Sequence, residues 1–290
     1  MDSVEGKTAV ITGGASGMGR AFANRFGRAG CRLVLADVEQ PPLDAAVDEL
    51  RSEGIEAVGV VTDVSSESDM DELAATALDT FGTVNLVFNN AGVGGGGPVA
   101  GLTTADWQWV LGVNVWGVIH GLRVFLPHLL EHGDGHIVNT GSVAGHTSYP
   151  GAAPYNASKH AVVTISETLY HELHELQSSV GVSVLCPGLV STNILNSHRN
   201  RPEQLRSPLI PPEPTEAQVA GSQLVQELFA HAKKPEAVAD LVFDAVRDRQ
   251  FYIFTDHVYD EAIRVRHDDI QQRRNPTYRG SLVGEDQSGG

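Results

Sequence analysis

Cysteine is scarce in this chain. Cys31 and Cys186 are its two cysteines among 290 residues, each in an apolar, strand-like run, which excludes a disulfide framework and fits buried thiols in a reducing compartment. Positive charge is scarce too: 20 Lys and Arg face 36 Asp and Glu, a formal net charge of −16. With no basic cluster to offset that acidic surface, nucleic acid and anionic membrane are excluded as partners, and a small molecule is expected instead. No run approaches the roughly 18 uninterrupted apolar residues of a membrane span, and the opening MDSVEGKTAV enters a strand without a basic-then-apolar leader. A cytoplasmic protein is expected. A zinc helix is also missing, because the histidines of His171-Glu172-Leu173-His174-Glu175 stand three apart where HExxH needs four, and no metal site is expected.

What remains is ordinary globular composition, 41% hydrophobic and 19% charged, arranged as alternating strand and helix. Residues 7–12 (KTAVIT) form a β-branched run that ends on Gly13-Gly14-Ala15-Ser16-Gly17-Met18-Gly19, and residues 20–29 read as a helix. Glycines let a ligand come close to the backbone, and free N–H groups at a helix start favour a pyrophosphate. The spacing Gly13-x3-Gly17-x-Gly19 is not GxGxxG, however, and any glycine turn could produce it. Residues 32–36 (RLVLA) form the next strand and finish on Asp37, where a carboxylate meets an adenosine ribose. Such a carboxylate accepts the 2′-hydroxyl and repels a 2′-phosphate; Ser16 and Val38 add no cation, although Arg20 and Arg32 are close in sequence. A Pro-started helix (41–53), a strand (57–61) closing on Thr62-Asp63-Val64 and a helix (67–81) follow. Strand 85–88 (NLVF) closes on Asn89-Asn90-Ala91-Gly92, small and amide residues that suit a flat ring, and a glycine loop (94–97) comes next. A long helix is expected over 103–126, with Asp106, Trp107 and Trp109 near its start and Asn114 inside an apolar run, where an amide needs partners.

Residues 141–159 (GSVAGHTSYPGAAPYNASK) carry the chemistry. Tyr155 and Lys159 are four apart, so a helix stacks them on one face. A free tyrosine titrates at about 10 and is a poor base at neutral pH, but a neighbouring ammonium stabilises the phenolate. Such a pair takes a proton from an alcohol or returns one, and Ser142 adds a hydroxyl able to hold the same oxygen. The same spacing also occurs on ordinary amphipathic helix faces. Beyond strand 182–186 (VSVLC), residues 199–214 hold Pro202, Pro208, Pro211, Pro212 and Pro214, so an irregular loop is expected, either a surface connection or a cover for substrate. Residues 218–230, 235–247 and 256–274 read as helices, 251–254 (FYIF) as the last strand, and the closing GEDQSGG as a disordered tail. The alternation predicts an α/β fold with a parallel sheet covered on both faces.

Thr12-Gly13-x3-Gly17-x-Gly19, Asn89-Asn90-Ala91-Gly92, Asn114, Ser142, Tyr155-x3-Lys159 and Pro187-Gly188 with Thr192 stand in order, and together they resemble a short-chain dehydrogenase/reductase over roughly residues 5–255. The resemblance implies a Rossmann-type, doubly wound, mostly parallel seven-stranded sheet with helices on both faces. It implies one catalytic domain (1–255, with a lid insertion at about 193–234) and a C-terminal helix and tail (256–290). Asp37 makes NAD the expected cofactor, and the resemblance implies a homotetramer that pairs the long helices, with a dimer as the alternative. Tyr155 would be the general acid/base, Lys159 would lower its pKa and bind the nicotinamide ribose, Ser142 would hold the substrate oxygen, and Asn114 would bind a water linking Lys159 to solvent. The implied cofactor set is Gly13, Ser16, Gly17, Met18, Gly19, Asp37, Asp63, Val64, Asn90, Ala91, Gly92, Tyr155, Lys159, Pro187, Gly188, Val190 and Thr192, with Asp63 and Val64 at the adenine and Thr192 on the carboxamide.

Beside the catalytic set, Val93, Gly94, Ser142, Val143, His146, Tyr149, Leu189, Ile194 and Leu195 are expected to line the substrate pocket. Most are apolar and none is Arg or Lys, although Arg199 or Arg206 could swing in. A bulky hydrophobic secondary alcohol or ketone, cyclic or aromatic, is therefore the expected substrate, with a small polyol or sugar as the alternative. Two readings of other kinds stay open. A non-catalytic dinucleotide sensor has no need for Ser142, Tyr155, Lys159 and Asn114 together, and a halohydrin-cleaving relative would lose the cofactor glycines that this chain keeps.

Overall fold

In the computed structural model of the protein, residues 3–206, 223 and 225–278 are described. Each short aliphatic run becomes a strand: β1 (Thr8–Thr12), β2 (Arg32–Asp37), β3 (Ala57–Val61), β4 (Leu86–Asn89), β5 (His136–Thr140), β6 (Gly181–Cys186) and β7 (Tyr252–Phe254). All pair in parallel, in the order β3-β2-β1-β4-β5-β6-β7. Between them run α1 (Gly17–Arg28), α2 (Gln40–Ser52), α3 (Glu67–Phe81), α4 (Thr104–Leu111), α5 (Gly117–His132), α6 (Ala153–Glu175) and α7 (Pro235–Asp248), with α8 (Asp260–Gln271) after the last strand.

The two-residue period of a strand sorts its side chains into two apolar layers. Ala9, Ile11, Leu33 and Leu35 join Phe22 and Phe26 of α1, Leu43 and Leu50 of α2, and Val242 and Val246 of α7. Val10, Val34 and Ala36 face the other way, toward Met70 and Leu73 of α3, Leu129 of α5, and Leu169 and Leu173 of α6. The chain steps outward from β1 to β3 and then returns to β4 on the far side of β1. A crevice is left where the connections diverge, beyond the carboxyl ends of β1 and β4.

The long helix expected over 103–126 starts on a capping box between Thr103 and Asp106 and continues through Pro127 to His132, where Gly133 ends it at φ 64°. Its middle, Gly112–Trp116, is a π turn. The whole is long and apolar enough to cross a membrane, but Trp109, Val118, Phe125 and Leu129 are buried within the fold, so its apolar face belongs to the core. The C-terminal helix is shorter than expected, at Asp260–Gln271. Of the expected helix at 218–230, residues 223 and 225–230 are helical and the others lie outside the described residues, as do Pro208, Pro211, Pro212, Pro214 and the GEDQSGG tail. The described start of the proline-rich loop is not wholly irregular: it forms two 3₁₀ segments, Asn193–Asn200 and Glu203–Leu205.

His136 ties two central strands together, its Nε2 standing 2.7 Å from Ser183 Oγ. Burial pushes its pKa from 6.5 down to about 3. As pH falls from the unfolded value of about 6.5 toward 3, the unfolded chain takes up a proton that the folded one refuses, so stability falls across that window. Urea midpoints between pH 7 and pH 4 should fall less steeply in His136→Gln than in wild type; equal slopes would show that other groups govern acid lability.

Candidate active site

The crevice is built from strand ends. Thr12 closes β1, and its Oγ1 donates to Phe88 O (3.1 Å) and accepts from the N–H groups of Asn90 (2.9 Å) and Ala91 (3.0 Å). Asn90 Nδ2 returns a bond to Thr12 O at 2.9 Å, which braces the glycine turn against residues 89–92. Gly13 and Gly17 have φ of 65° and 54°, where a side chain is strained. A Cβ on Gly19 would stand 2.1 Å from Gly13 O, so glycine there lets α1 begin directly beneath the turn. Ser16 caps α1 without a side-chain bond, leaving the first-turn N–H groups for an anion.

Asp37 sits at one end of this crevice. Its carboxylate accepts from the N–H groups of Ala15 and Glu39, both at 3.1 Å, and burial raises its pKa against those bonds. Neither candidate cation reaches it: Arg20 pairs with Glu49 at 2.7 Å, and Arg32 lies 5.2 Å over the Phe81 ring. Asp63 accepts from Ser65 N (2.9 Å) and Oγ (2.7 Å), shaping the turn that carries Val64.

At the other end stand the catalytic candidates. Ser142 is buried, accepts from Ala144 N at 3.1 Å, donates to Pro187 O at 3.4 Å and stands beside Tyr155, whose pKa its hydroxyl lowers. Lys159 donates to Thr140 O at 2.9 Å, and burial pulls its pKa down to about 8. Its Nζ lies 5.6 Å from the Tyr155 ring centroid. One expectation needs correcting here: the Tyr155 pKa is raised, because burial outweighs the Ser142 bond and Lys159 is not among the groups that shift it. Asn114, in the π turn, finds its partners in Val93 N (2.8 Å), Val93 O (3.0 Å) and Ser158 Oγ (3.0 Å). A Cβ on Gly92 would stand 3.4 Å from Asn114 Oδ1 and 3.7 Å from Lys159 Nζ, so both polar atoms face one small space.

Gly13, Ser16, Gly17, Met18, Asp37, Asp63, Val64, Asn90, Ala91, Gly92, Tyr155, Lys159, Pro187, Gly188, Val190 and Thr192 all line this one crevice, with Gly19 packed behind Gly13. An elongated groove with a glycine turn, open helix N–H groups and an acid at one end fits a dinucleotide. The expected substrate wall is only partly found. Val93 and Ile194 line the far end, joined by Gln108, Trp109, Val113, Ser197, Leu205 and Phe229, which sequence reading did not single out for that role. Trp109, one turn past the capping box, was the detectable one. His146 is not in this wall, because its ring meets the Cys186 thiol at 3.3 Å and packs against Phe254. Val143 is buried in the 3₁₀ turn after Ser142, and Leu195 is exposed. Gly94, Tyr149 and Leu189 do not line the crevice, although Gly94 N donates to Ser197 Oγ, which does, at 3.0 Å.

Neither Arg199 nor Arg206 swings toward the apolar end of the crevice. Arg199 pairs with Glu39, beside Asp37, and Arg206 pairs with Glu203 at 3.5 Å. Arg201 bonds Asp106 at 2.7 Å and lies 5.1 Å over the Trp109 ring, fastening the 193–206 segment to α4. Among the described residues no cluster of His, Cys, Asp or Glu could hold a metal.

Comparison with known proteins agrees with this geometry. The family described as short chain dehydrogenase matches residues 7–203. A short-chain dehydrogenase/reductase from Burkholderia phymatum, solved in complex with NAD, superimposes with a TM-score of 0.92 at 48% identity, over 97% of this chain and 100% of that one. C alpha-dehydrogenase of Sphingobium sp. is 34% identical over 258 residues, 87% of this chain and 81% of its own. The 1-deoxy-11-beta-hydroxypentalenate dehydrogenase of Streptomyces avermitilis is 35% identical over 251 residues, 86% of this chain and 84% of its own. With the family matched across more than half its length and its sheet, glycine turn and Ser–Tyr–Lys cluster in register, the chain belongs to the short-chain dehydrogenase/reductase family of oxidoreductases.

Proposed function

We propose that this chain is an NAD-dependent dehydrogenase/ketoreductase acting on bulky hydrophobic secondary alcohols or ketones. The observation that carries the reading is that Tyr155 and Lys159 line a crevice shaped for a dinucleotide, with Ser142 beside Tyr155 and Asn114 Oδ1 facing the same small space as Lys159 Nζ. NAD, when bound, supplies the hydride acceptor. Ser142 holds the substrate oxygen and Tyr155 Oη takes its proton. At neutral pH Lys159, with a pKa of about 8, is largely protonated, so a cation stands 5.6 Å from the Tyr155 ring centroid when the phenol gives up its proton. The small space shared by Lys159 and Asn114 suits a water that passes the proton outward.

Cofactor choice follows from Asp37, with Arg20 and Arg32 engaged elsewhere, and the NAD held by the Burkholderia relative supports it. The substrate class follows from Val93, Trp109, Val113, Leu205 and Phe229 at the far end. The two dehydrogenases named above are in keeping with an alcohol as the reacting group. Assembly as a homotetramer is part of the same reading: Trp116 in the π turn (53% exposed) and Tyr170 and Leu176 on and after α6 (45% and 66%) leave apolar surface to cover, and light scattering gives the mass. The deciding experiment is reduced-nicotinamide absorbance with a panel of alcohols and both cofactors. Cyclic or aryl secondary alcohols should outperform polyols in kcat/KM, and NAD should outperform NADP by about tenfold or more, on the order of 1.4 kcal/mol. Polyols in the lead would overturn the substrate class. NAD binding without turnover of any alcohol or ketone would favour a sensor.

A further inference from the structure

The lid arginine that fails to reach the substrate reaches the opposite end of the crevice. Arg199 Nε donates to Glu39 Oε1 at 3.1 Å and Nη2 to Oε2 at 2.5 Å, a two-pronged pairing between residues 160 positions apart. The Arg199 guanidinium holds that carboxyl below the usual carboxylate range. Arg199 is further oriented by Nη1 donating to Asn196 O at 2.9 Å. Glu39 is placed just as firmly, because its backbone N–H is held by Asp37 Oδ1. Asp37, Glu39, Arg199 and Asn200 all line the crevice. The lid is thus fastened at both ends of one groove: Ser197 and Arg201 hold it beside the substrate end, and Arg199 holds it beside the acid that meets the adenosine ribose.

We propose that Glu39 and Arg199 form a clasp over the adenosine end of the cofactor, and that Glu39 is a second determinant of cofactor choice because it occupies the guanidinium that a 2′-phosphate would otherwise claim. A guanidinium binds carboxylate and phosphate through the same fork of donors, so the two compete for one partner. With Glu39 in place, a 2′-phosphate meets Asp37 and a cation already neutralised. Without the Glu39 charge, the cation beside Asp37 is free to receive it. Closing the clasp also means that the lid arginine must part from Glu39 before a dinucleotide can leave from this end.

The inference rests on the reading that the crevice holds a dinucleotide, and fluorescence titration with NADH and NADPH separates the two. In Glu39→Gln the ratio Kd(NADPH)/Kd(NADH) should fall by about tenfold or more relative to wild type, and adding Arg199→Gln should abolish that gain. A Glu39→Gln/Arg199→Lys variant should keep part of it, since a lysine supplies the charge without the fork. In Arg199→Gln alone, stopped-flow release of NADH should quicken by about fivefold or more. An unchanged ratio in Glu39→Gln, the same gain with and without Arg199, or unaltered release would each overturn the clasp while leaving the cofactor reading intact. Wild-type protein that binds neither nucleotide would overturn both.

Discussion

Tyr155→Phe is expected to lower kcat for alcohol oxidation by about 10²–10⁴-fold, the range for loss of a positioned general acid/base. The substitution keeps the ring near Lys159 Nζ, 5.6 Å from its centroid, and removes only the phenolic oxygen beside Ser142. Binding of NADH should persist, because the glycine turn and Asp37 are untouched. The pH profile adds a second check. Burial raises the Tyr155 pKa in this structure, so the wild-type rate of oxidation should climb with pH, and the small residual rate of the variant should lose that climb. Near-normal turnover in Tyr155→Phe would remove Tyr155 from the mechanism, and a search for another base would begin at Lys159.

Gly19→Ala should be the most damaging change at the cofactor end. The added methyl would lie 2.1 Å from Gly13 O and 2.7 Å from Asn90 Nδ2, striking both the turn and the side chain that braces it. Gly13 O is backbone and cannot swing aside as a side-chain tip does, so α1 or the turn must move. Overpacking of this kind costs about 1–3 kcal/mol of stability, and displacement of the anion cradle should weaken NADH binding by about tenfold or more. Gly101→Ala is the matched control: nothing lies within 4 Å of a Cβ there, and stability should stay within about 0.5 kcal/mol. Thermal melts and NADH titration of the pair decide the matter. Wild-type melting and affinity in Gly19→Ala would mean that the turn yields freely.

The cofactor end was legible in the sequence because its parts are local. Glycines 13, 17 and 19 follow one strand, Asp37 ends the next and Asn90 the fourth, and adjacent parallel strands bring those ends to one edge by topology alone. Tyr155 and Lys159 were placed by helical spacing, yet the lysine bond to Thr140 O and the dominance of burial in the Tyr155 pKa depend on packing that spacing does not encode. The substrate wall was the least legible. Trp109, Leu205 and Phe229 come from separate segments, and no local pattern says that they meet. His146 was drawn into the expected wall by its nearness to Ser142 in sequence, but the intervening 3₁₀ turn, Val143–Gly145, carries it toward Cys186. The long helix outran its expected end because Pro127 breaks the periodic signal without breaking the helix.

The three fastenings of the lid bear on how such an enzyme could be recombined. Ser197 is tied to Gly94 after β4, Arg201 to Asp106 at the start of α4, and Arg199 to Glu39 after β2. These partners come from two separate crossovers, β2 to β3 and β4 to β5, so residues 193–206 are not a transplantable cassette. A chimera that carries this segment into a relative would bring two arginines whose carboxylates stay behind, and unpaired, partly desolvated cations would weigh on the recipient fold. A graft that moves residue 39 and residue 106 together with the segment should express and melt like its parents, whereas the segment alone should not.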